Sequence, residues 1–311
     1  MTGTGSLPFG AAGSGPAALF DRPAWRRHRE RAAALGPVDF LHVEVAERLL
    51  DRLDSVRRPF HRVLDLGSHG GAVGRALAMR PGIERIIAAE PAVAMLARTG
   101  GLRVAADPEL LPFRAAGFDL AISALVLHWV GDLPGTLAQL RQALRPDGLF
   151  LAALFGGGTL VELRQAMLEA ELAAEGGVSP RVSPTVELAD AAALLQRAGF
   201  AMPVADAETI TVTYRDALAL MRDLRGMGET NALAARRPWL GRRTLARAVA
   251  LYGERCGLAD GRIPATFEIL FLTGWAPHES QPQPLRPGSA AHRLADALNT
   301  VERPAGDRAG R

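Results

Sequence analysis

The stretch that decides the fold of this chain is Arg62-Val63-Leu64-Asp65-Leu66-Gly67-Ser68-His69-Gly70-Gly71-Ala72-Val73-Gly74. Its first half has the short apolar pattern of a buried strand, and a cluster of glycines follows at once. A helical pattern then begins at Ala72. This order of strand, glycine turn and helix predicts the start of a nucleotide-binding α/β unit. Glycine lets the backbone pass close to a ligand, and the helix N-terminus offers free N–H groups.

A second apolar strand, Ile86-Ile87-Ala88-Ala89, ends in an acidic residue. This residue, Glu90, lies 19 positions after Gly71. A carboxylate at that place suits a ribose diol, because it accepts two hydroxyl protons. The pattern fits a dinucleotide and S-adenosylmethionine (SAM) equally well.

Strand and helix patterns alternate through the rest of the chain. The strands are predicted at 62–66, 85–89, 102–105, 118–123, 149–154, 204–213 and 266–275. The helices are predicted at 20–31, 40–53, 72–79, 91–98, 134–144, 159–175, 187–198, 216–225 and 243–255, with a turn at Arg145-Pro146-Asp147-Gly148. Short links between these elements predict an α/β protein with a doubly wound, mainly parallel sheet. The last two helices interrupt the last two strands and predict an inserted helical cap over the site.

The domain boundaries follow from the same patterns. We expect a disordered leader at 1–18, one domain at 19–278 and a mostly flexible tail at 279–311. Within the domain we expect N-terminal helices at 20–54, a core at 60–155 and cap elements within 156–260. The two N-terminal helices either close over the cofactor edge or pack on the sheet, and the sequence favours neither.

Composition limits the classes of function. The chain has 311 residues, 48% apolar and 22% charged, which fits a globular protein without an integral membrane segment. Its one cysteine, Cys256, excludes an internal disulfide and favours the cytoplasm. All 36 basic residues are arginine, which excludes lysine-based covalent chemistry. An arginine cluster at 22–31 lacks an aromatic stacking platform, so we expect no nucleic-acid partner.

Several ordered motifs resemble a class I SAM-dependent methyltransferase. They are Val63–Gly67, Glu90, Asp107 with Leu111-Pro112-Phe113, Phe118-Asp119-Leu120, and Leu144–Gly148. The resemblance covers about residues 60–275. It implies a Rossmann-like sheet of seven strands whose last strand is antiparallel, with SAM as the cofactor.

A narrower resemblance points to one subfamily. Its motifs are Phe20-Asp21-Arg22, Leu127-His128-Trp129, Ser179-Pro180-Arg181, Asp223–Asn231 and Leu272–His278. These residues resemble the mitochondrial complex I assembly factor with a methyltransferase fold and its bacterial homologues. That resemblance implies a protein substrate in complex I and arginine hydroxylation. The chain is similar, more distantly, to the malonyl-carrier-protein methyltransferase of biotin synthesis.

The methyltransferase resemblance also implies the cofactor residues. Gly67 and Gly71 would line the methionyl part of SAM, and Asp65 would orient its amino group. Glu90 would bind the ribose hydroxyls. Asp107, with Pro108 beside it, would reach the adenine amino group. The alternative for the two strand-end carboxylates is solvent exposure.

One position departs from the methyltransferase pattern. His69 stands where the family's Gly-x-Gly-x-Gly loop has its middle glycine. Its side chain either crowds SAM or contacts the SAM carboxylate.

The catalytic candidates follow the fourth strand and the cap. His128 is a candidate base or substrate contact, and Trp129 is a candidate wall of the substrate site, because ligands of open α/β sheets bind at this edge. Ordinary packing is the alternative for both. In the segment 225–231, Glu229 could hold a substrate guanidinium as a bidentate pair, whereas Arg225 could bind an acid. We expect its two glycines to make this segment a mobile loop.

A metal site is not expected. His42-Val43-Glu44 is the nearest approach to a ligand motif, but positions i and i+2 of a helix point apart.

Three functional classes remain open: a methyltransferase for a small or carrier-bound acid, a protein-modifying complex I assembly factor, and a non-catalytic assembly chaperone. We expect a cytoplasmic protein in a bacterium, peripheral to the inner membrane through its partner.

Overall fold

The computed structural model describes residues 18–36, 38–236, 239–282 and 293–301. The predicted leader therefore lies outside the described residues except for its last position, and the predicted tail is described only in part. The chain divides into two compact units, Met1–Pro277 and His278–Arg311. The described part of the second unit contains one short helix, Leu294–Ala297.

The first unit alternates strands and helices nearly as the sequence predicts. Its strands are β1 Arg62–Leu66, β2 Arg85–Ala89, β3 Leu102–Val104, β4 Phe118–Ala124, β5 Leu144–Phe155, β6 Ala201–Tyr214 and β7 Ile263–Trp275. Its helices are α1 Arg22–Leu35, α2 Phe40–Asp54, α3 Ala72–Ala78, α4 Val93–Leu96, α5 Leu133–Ala143, α6 Val161–Glu175, α7 Leu188–Arg197, α8 Ala217–Met227 and α9 Arg242–Cys256. A single 3₁₀ turn covers Leu127–Trp129.

The strands form one seven-stranded sheet in the order β3-β2-β1-β4-β5-β7-β6. The pairs from β3 to β5 are parallel, and β7 runs antiparallel to both β5 and β6. The predicted class I methyltransferase sheet is confirmed. Strand order reverses between β1 and β4, so the carboxyl ends of these strands border the crevice where such sheets bind ligands.

The two N-terminal helices have different places. Leu41, Val45 and Leu49 of α2 are fully buried, and α2 packs against α3, β4 and β5. Helix α1 instead contacts α4 and α8. Its first turn is capped by Asp21, whose carboxylate accepts a hydrogen bond from the Ala24 N–H at 2.9 Å. Of the two alternatives left open by the sequence, α2 therefore packs on the sheet and α1 closes over the ligand edge.

Several local predictions were wrong. The predicted turn at Arg145-Pro146-Asp147-Gly148 is a bulge inside β5, where four residues between Leu144 and Leu149 lie opposite the one residue of β4 between Phe118 and Leu120. Proline cannot donate to the ladder and Asp147 has a φ of 62°, so these residues interrupt pairing without ending the strand. Helix α4 is only Val93–Leu96, and α8 continues to Met227 instead of ending at Arg225.

The glycine turn after β1 allows a close approach of two chain segments. Gly67 has a φ of +71°, and a Cβ atom at this position would lie 2.4 Å from the Val126 side chain. Gly70 in the same turn has no atom within 4 Å of such a Cβ. The two glycines therefore form a matched pair for testing why the turn needs glycine.

We predict that Gly67→Ala lowers the free energy of unfolding by about 2 to 4 kcal/mol, because it adds both backbone strain and overpacking. Gly70→Ala should change it by less than about 0.5 kcal/mol. Urea denaturation of the two variants beside the parent measures both effects. Equal losses in the two variants would contradict the assigned role of Gly67.

Candidate functional site

A buried ion pair lies at the carboxyl end of β2. Both side chains, Arg29 of α1 and Glu90, are 0% exposed. Arg29 Nε donates to Glu90 Oε1 at 2.8 Å, and Arg29 Nη2 donates to Glu90 Oε2 at 2.7 Å. Burial alone would lower the pKa of Arg29, but the Glu90 charge outweighs it and holds that pKa above its ordinary value. Arg29 therefore keeps its charge although it is fully buried.

Glu90 has no free acceptor site in this arrangement. Its Oε1 also accepts from the Ala92 N–H and its Oε2 from the His69 N–H, each at 3.2 Å. A carboxylate offers about four lone-pair sites. All of them are taken by protein donors, although the sequence assigned this carboxylate to the ribose hydroxyls of a cofactor.

Asp107, the predicted adenine contact, also pairs with an arginine of α1, although its side chain is 37% exposed. Arg22, at the start of α1, donates from Nε to Asp107 Oδ2 at 3.2 Å and also pairs with Asp107 through Nη2. The Arg22 Nη1 donates to the backbone carbonyl of Trp129 at 2.7 Å. Pro108 is buried beside this pair, and its carbonyl accepts from the Thr136 hydroxyl at 3.1 Å. Both predicted cofactor carboxylates are thus paired with arginines of α1.

His69 links the glycine turn to two helices. It has a φ of 47° and its ring stacks on His42 of α2, with ring centroids 3.8 Å apart. The His69 Nε2 donates to the Met227 carbonyl at the end of α8, at 3.0 Å. Burial and the nearby Arg29 charge lower the pKa of His69 to about 3, so the ring is neutral. At the position where the family pattern has glycine, the His69 side chain therefore holds the turn against the end of α8.

Asp65, in β1 just before the glycine turn, is a second buried acid near Glu90. Its carboxyl is 1% exposed, and neither oxygen accepts a hydrogen bond of good geometry from a described residue. Burial, followed by the charge of Glu90, raises the pKa of Asp65 to about 7, while the Gly74 N–H acts in the opposite direction. The Ser68 hydroxyl beside it also lacks a partner among the described residues. The end of β1 and the turn after it therefore contain buried polar atoms without hydrogen-bond partners among the described residues.

A cavity of about 410 Å³ is lined by the end of β5 and by helices α6 and α8. Its lining residues include Phe155, Leu160, Leu163, Met167, Met221 and Leu224. Polar groups enter it from the 3₁₀ turn, from the last turn of α8 and from the segment after α8. They include His128, Trp129, Arg225, Glu229, Thr230 and Asn231. The cavity therefore combines an apolar wall with a charged end.

Glu229 lies at the charged end of this cavity, with its side chain 5% exposed. Its Oε2 accepts from His128 Nε2 at 3.0 Å and from Trp129 Nε1 at 2.7 Å. Its Oε1 has no hydrogen-bond partner among the described residues and lies 3.9 Å from Arg29 Nη1. Burial alone would raise the pKa of Glu229, but His128 and then Arg29 hold it below its ordinary value. Glu229 is thus an anion whose second oxygen faces Arg29 without a hydrogen bond.

The segment around Glu229 is more rigid than the sequence suggested. Gly226 is buried within α8, where a Cβ would lie 2.5 Å from Val38. Gly228 ends the helix with a φ of 84°. Both glycines thus serve close packing and helix termination, and the expectation that they make the loop mobile has no support. Arg225 lines the cavity without a partner among the described residues, whereas Arg222 does not line it.

Comparisons with known proteins place this geometry in a family. Residues 64–152 match the family described as a methyltransferase domain. The chain is 41% identical over 286 residues to the arginine-hydroxylase NDUFAF5 of Danio rerio, covering 89% of each chain. It is 39% identical to the Homo sapiens arginine-hydroxylase NDUFAF5, covering 92% of this chain and 85% of the relative. It is also 38% identical to the malonyl-[acyl-carrier protein] O-methyltransferase of Xylella fastidiosa, covering 83% and 89%.

The chain belongs to the family of these methyltransferase-fold enzymes. Solved structures agree on the fold. The YcgJ protein of Bacillus subtilis has a TM-score of 0.53 at 16% identity and covers 74% of this chain and 98% of its own. The BH2331 protein of Bacillus halodurans has a TM-score of 0.52 at 14% identity, covering 75% and 99%.

SAM is the cofactor that this family implies. The methionyl end of its site fits, because Asp65 and Ser68 beside the glycine turn carry buried polar atoms without partners. The ribose and adenine end does not fit in this conformation, because Glu90 and Asp107 are held by Arg29 and Arg22. Glu90 and Asp107 are suitable residue types for the cofactor, but arginines of α1 already bind them.

Sequence reasoning missed Arg22, Arg29 and His42 as parts of the site. A signal for Arg29 was present, because Trp25, Ala32 and Ala33 form an apolar face of α1 whose helical spacing includes position 29. His42 was considered only as a metal ligand. No group of three or more His, Cys, Asp or Glu side chains that could hold a metal occurs among the described residues. The same part of the chain contains no helix long and apolar enough to cross a membrane.

We predict that Asp65→Asn removes a pH-dependent loss of stability. In the parent, the folded state retains the Asp65 proton up to pH near 7, whereas the unfolded chain releases it near its ordinary value of 3.8. The free energy of unfolding of the parent, relative to the variant, should therefore fall as pH rises from 5 to 7, by about 2 to 3 kcal/mol.

Urea denaturation of both proteins at several pH values measures this difference. His42 and His69 have lowered pKa values and act in the opposite direction below pH 6.5. Their contribution is common to both proteins and cancels. A pH-independent difference would show that Asp65 ionises normally in the folded protein.

Proposed function

We propose that this protein modifies an arginine side chain of a complex I subunit during assembly of the respiratory complex. The single observation that carries the proposal is Glu229. It is a buried, ionised carboxylate at the charged end of the cavity, with Oε1 lacking a hydrogen-bond partner among the described residues. A guanidinium is the side chain best suited to such an acceptor, because it keeps its charge and donates in a planar fork.

The cavity suits the rest of an arginine side chain. Leu163 and Met167 of α6 and Leu224 of α8 form apolar surface along it, against which the three methylene groups would pack. His128 then lies beside the bound group. If its Nε2 carries the proton donated to Glu229, its Nδ1 has a free lone pair and no partner among the described residues. In this proposal Glu229 holds the guanidinium and His128 provides a proton acceptor.

The relatives support the same substrate class. The arginine hydroxylases from five organisms are 37% to 41% identical to this chain, and the first three malonyl-carrier methyltransferases are 34% to 38% identical. Hydroxylation is therefore the modification that we expect on the arginine. It replaces one hydrogen of the side chain with a hydroxyl group, and its balance needs dioxygen and an external two-electron donor, with the second oxygen atom released as water. We place the activity in the bacterial cytoplasm, at the inner membrane through the partner.

A second candidate is supported by Arg225. This exposed arginine lines the cavity without a partner among the described residues and would bind a carboxylate. The other two arginines of the lining, Arg181 and Arg236, are paired with Glu171 and Asp21. A small or carrier-bound acid would therefore depend on Arg225 and not on Glu229.

We predict that Glu229→Gln abolishes the arginine modification. The substitution removes a charged acceptor worth about 2 to 4 kcal/mol, which corresponds to a rate loss on the order of 30- to 1,000-fold. The gene is deleted and replaced by the parent or by the variant. Mass spectrometry of the complex I subunits then shows whether the arginine has gained one oxygen atom, one methyl group or neither.

Arg222→Ala is the matched control for Arg225→Ala, because the two arginines share a helix and only Arg225 lines the cavity. An arginine substrate predicts that both alanine variants retain most of the modification. A silent Glu229→Gln with a severe Arg225→Ala, and a growth requirement for biotin in the deletion strain, would replace the proposal with the acid substrate. Intact complex I assembly with the parent and with Glu229→Gln, and no modification of the subunit in either strain, would favour the non-catalytic chaperone.

A further inference from the structure

We propose that α1 is a lid that closes the ribose and adenine part of the cofactor cleft with its own arginines, so that SAM binds only after α1 undocks. The proposal goes beyond the arginine-modifying function and does not depend on it. It rests on the disagreement between the cofactor that the family implies and the conformation of the two carboxylates at the ends of β2 and β3.

Protein donors occupy the two carboxylates to different extents. Glu90 is fully buried and receives two donors from Arg29 and two from the backbone. Asp107 receives Arg22 and the Glu109 N–H, and its side chain remains 37% exposed. Ribose hydroxyls are neutral donors and cannot displace a bidentate guanidinium while it remains buried beside the carboxylate. Cofactor binding in the family's manner therefore requires Arg29 to leave Glu90.

The surroundings of Arg29 restrict its side chain. Arg29 is fully buried between Glu90, Glu229 and the Trp25 ring, whose centroid is 5.5 Å from the guanidinium carbon. The backbone of Gly228 lies against it as well. The 410 Å³ cavity is lined by Glu229 and His128 but not by Glu90, Asp107 or the glycine turn. The Arg29 side chain has no neighbouring space into which it could rotate by itself, so the helix must move.

Helix α1 is attached by both polar and apolar contacts. Arg22 pairs with Asp107, Arg29 with Glu90, and Glu30 accepts from the Val93 and Ala94 N–H groups of α4 at 2.6 and 3.0 Å. Trp25, Ala32 and Ala33 of the same helix are buried. The polar contacts can be exchanged for water when a ligand compensates them, whereas burial of the apolar side chains favours the closed state.

The experiment measures binding of S-adenosylhomocysteine by calorimetry to the parent and to Arg22→Gln. Arg22 and Arg80 each form a half-exposed ion pair with an aspartate, with arginine side chains 21% and 26% exposed. Only the Arg22 pair holds α1, which makes Arg80→Gln the matched control. We expect Arg22→Gln to bind about three- to tenfold more tightly, because the substitution destabilises the closed state of α1 and the binding-competent open state is then more populated. Arg80→Gln should bind like the parent.

Hydrogen exchange of the parent gives a readout that needs no substitution. Adding S-adenosylhomocysteine should speed exchange of the α1 amides at 22–35 and leave those of α2 unchanged. Binding by Arg22→Gln with none by the parent would also support the lid. Unchanged or weaker binding by Arg22→Gln, slower exchange in α1, or no binding by either protein would overturn it. The proposed arginine modification is tested separately by the mass of the subunit.

Discussion

The buried pair between Arg29 and Glu90 is the interaction on which the rest of the site depends. Removing two charges from water costs several kcal/mol for each, and only close mutual pairing with further hydrogen bonds offsets that cost. Glu90 meets this condition with the backbone N–H groups of His69 and Ala92. The pair thereby fixes three segments at once: helix α1, the glycine turn after β1 and the start of α4.

The remaining charges of the cluster follow from this pair. Arg29 is the only cation within reach of both Glu90 and Glu229 among the described side chains of the cluster, at 2.7 and 3.9 Å. A third buried carboxyl, Asp65, has no such partner, and the nearby Glu90 charge favours its protonated form. The same arginine disfavours a charge on His69 and His42. One guanidinium thus helps to determine which acids are ionised and which imidazoles are neutral.

Most of the fold could be predicted from the sequence, because its signals are local. β1 and β2 have the predicted bounds, since an apolar run between polar residues and glycines has one plausible length. The bulge at Pro146 was missed because proline and glycine signal a turn equally well, and only pairing with β4 shows that the strand continues. The end of α8 was misplaced because Gly226 sits inside the helix for close packing against Val38, which no local pattern reveals.

The site was less predictable, because its residues meet across the chain. The sequence indicates that Glu90 and Asp107 end neighbouring strands, but it does not indicate what binds them. Their arginine partners come from 61 and 85 positions earlier. In a chain whose basic residues are all arginine, residue type could not distinguish these two from the solvated ones. Only the apolar face of α1, with Trp25 and Ala32 beside position 29, contained that information.

Helix α1 also connects the two parts of the site physically. Arg29 pairs with Glu90, and the preceding residue, His28, lines the 410 Å³ cavity and contacts the Thr230 carbonyl at 3.1 Å. Arg29 Nη1 and Glu229 Oε1 face each other at 3.9 Å, and neither has a hydrogen-bond partner among the described residues. A movement of α1 that releases Glu90 therefore also removes the positive charge opposite Glu229. Glu229, the carboxylate that we assign to substrate binding, then loses its internal counterion. It should therefore bind a cationic ligand more strongly once the cofactor cleft has opened.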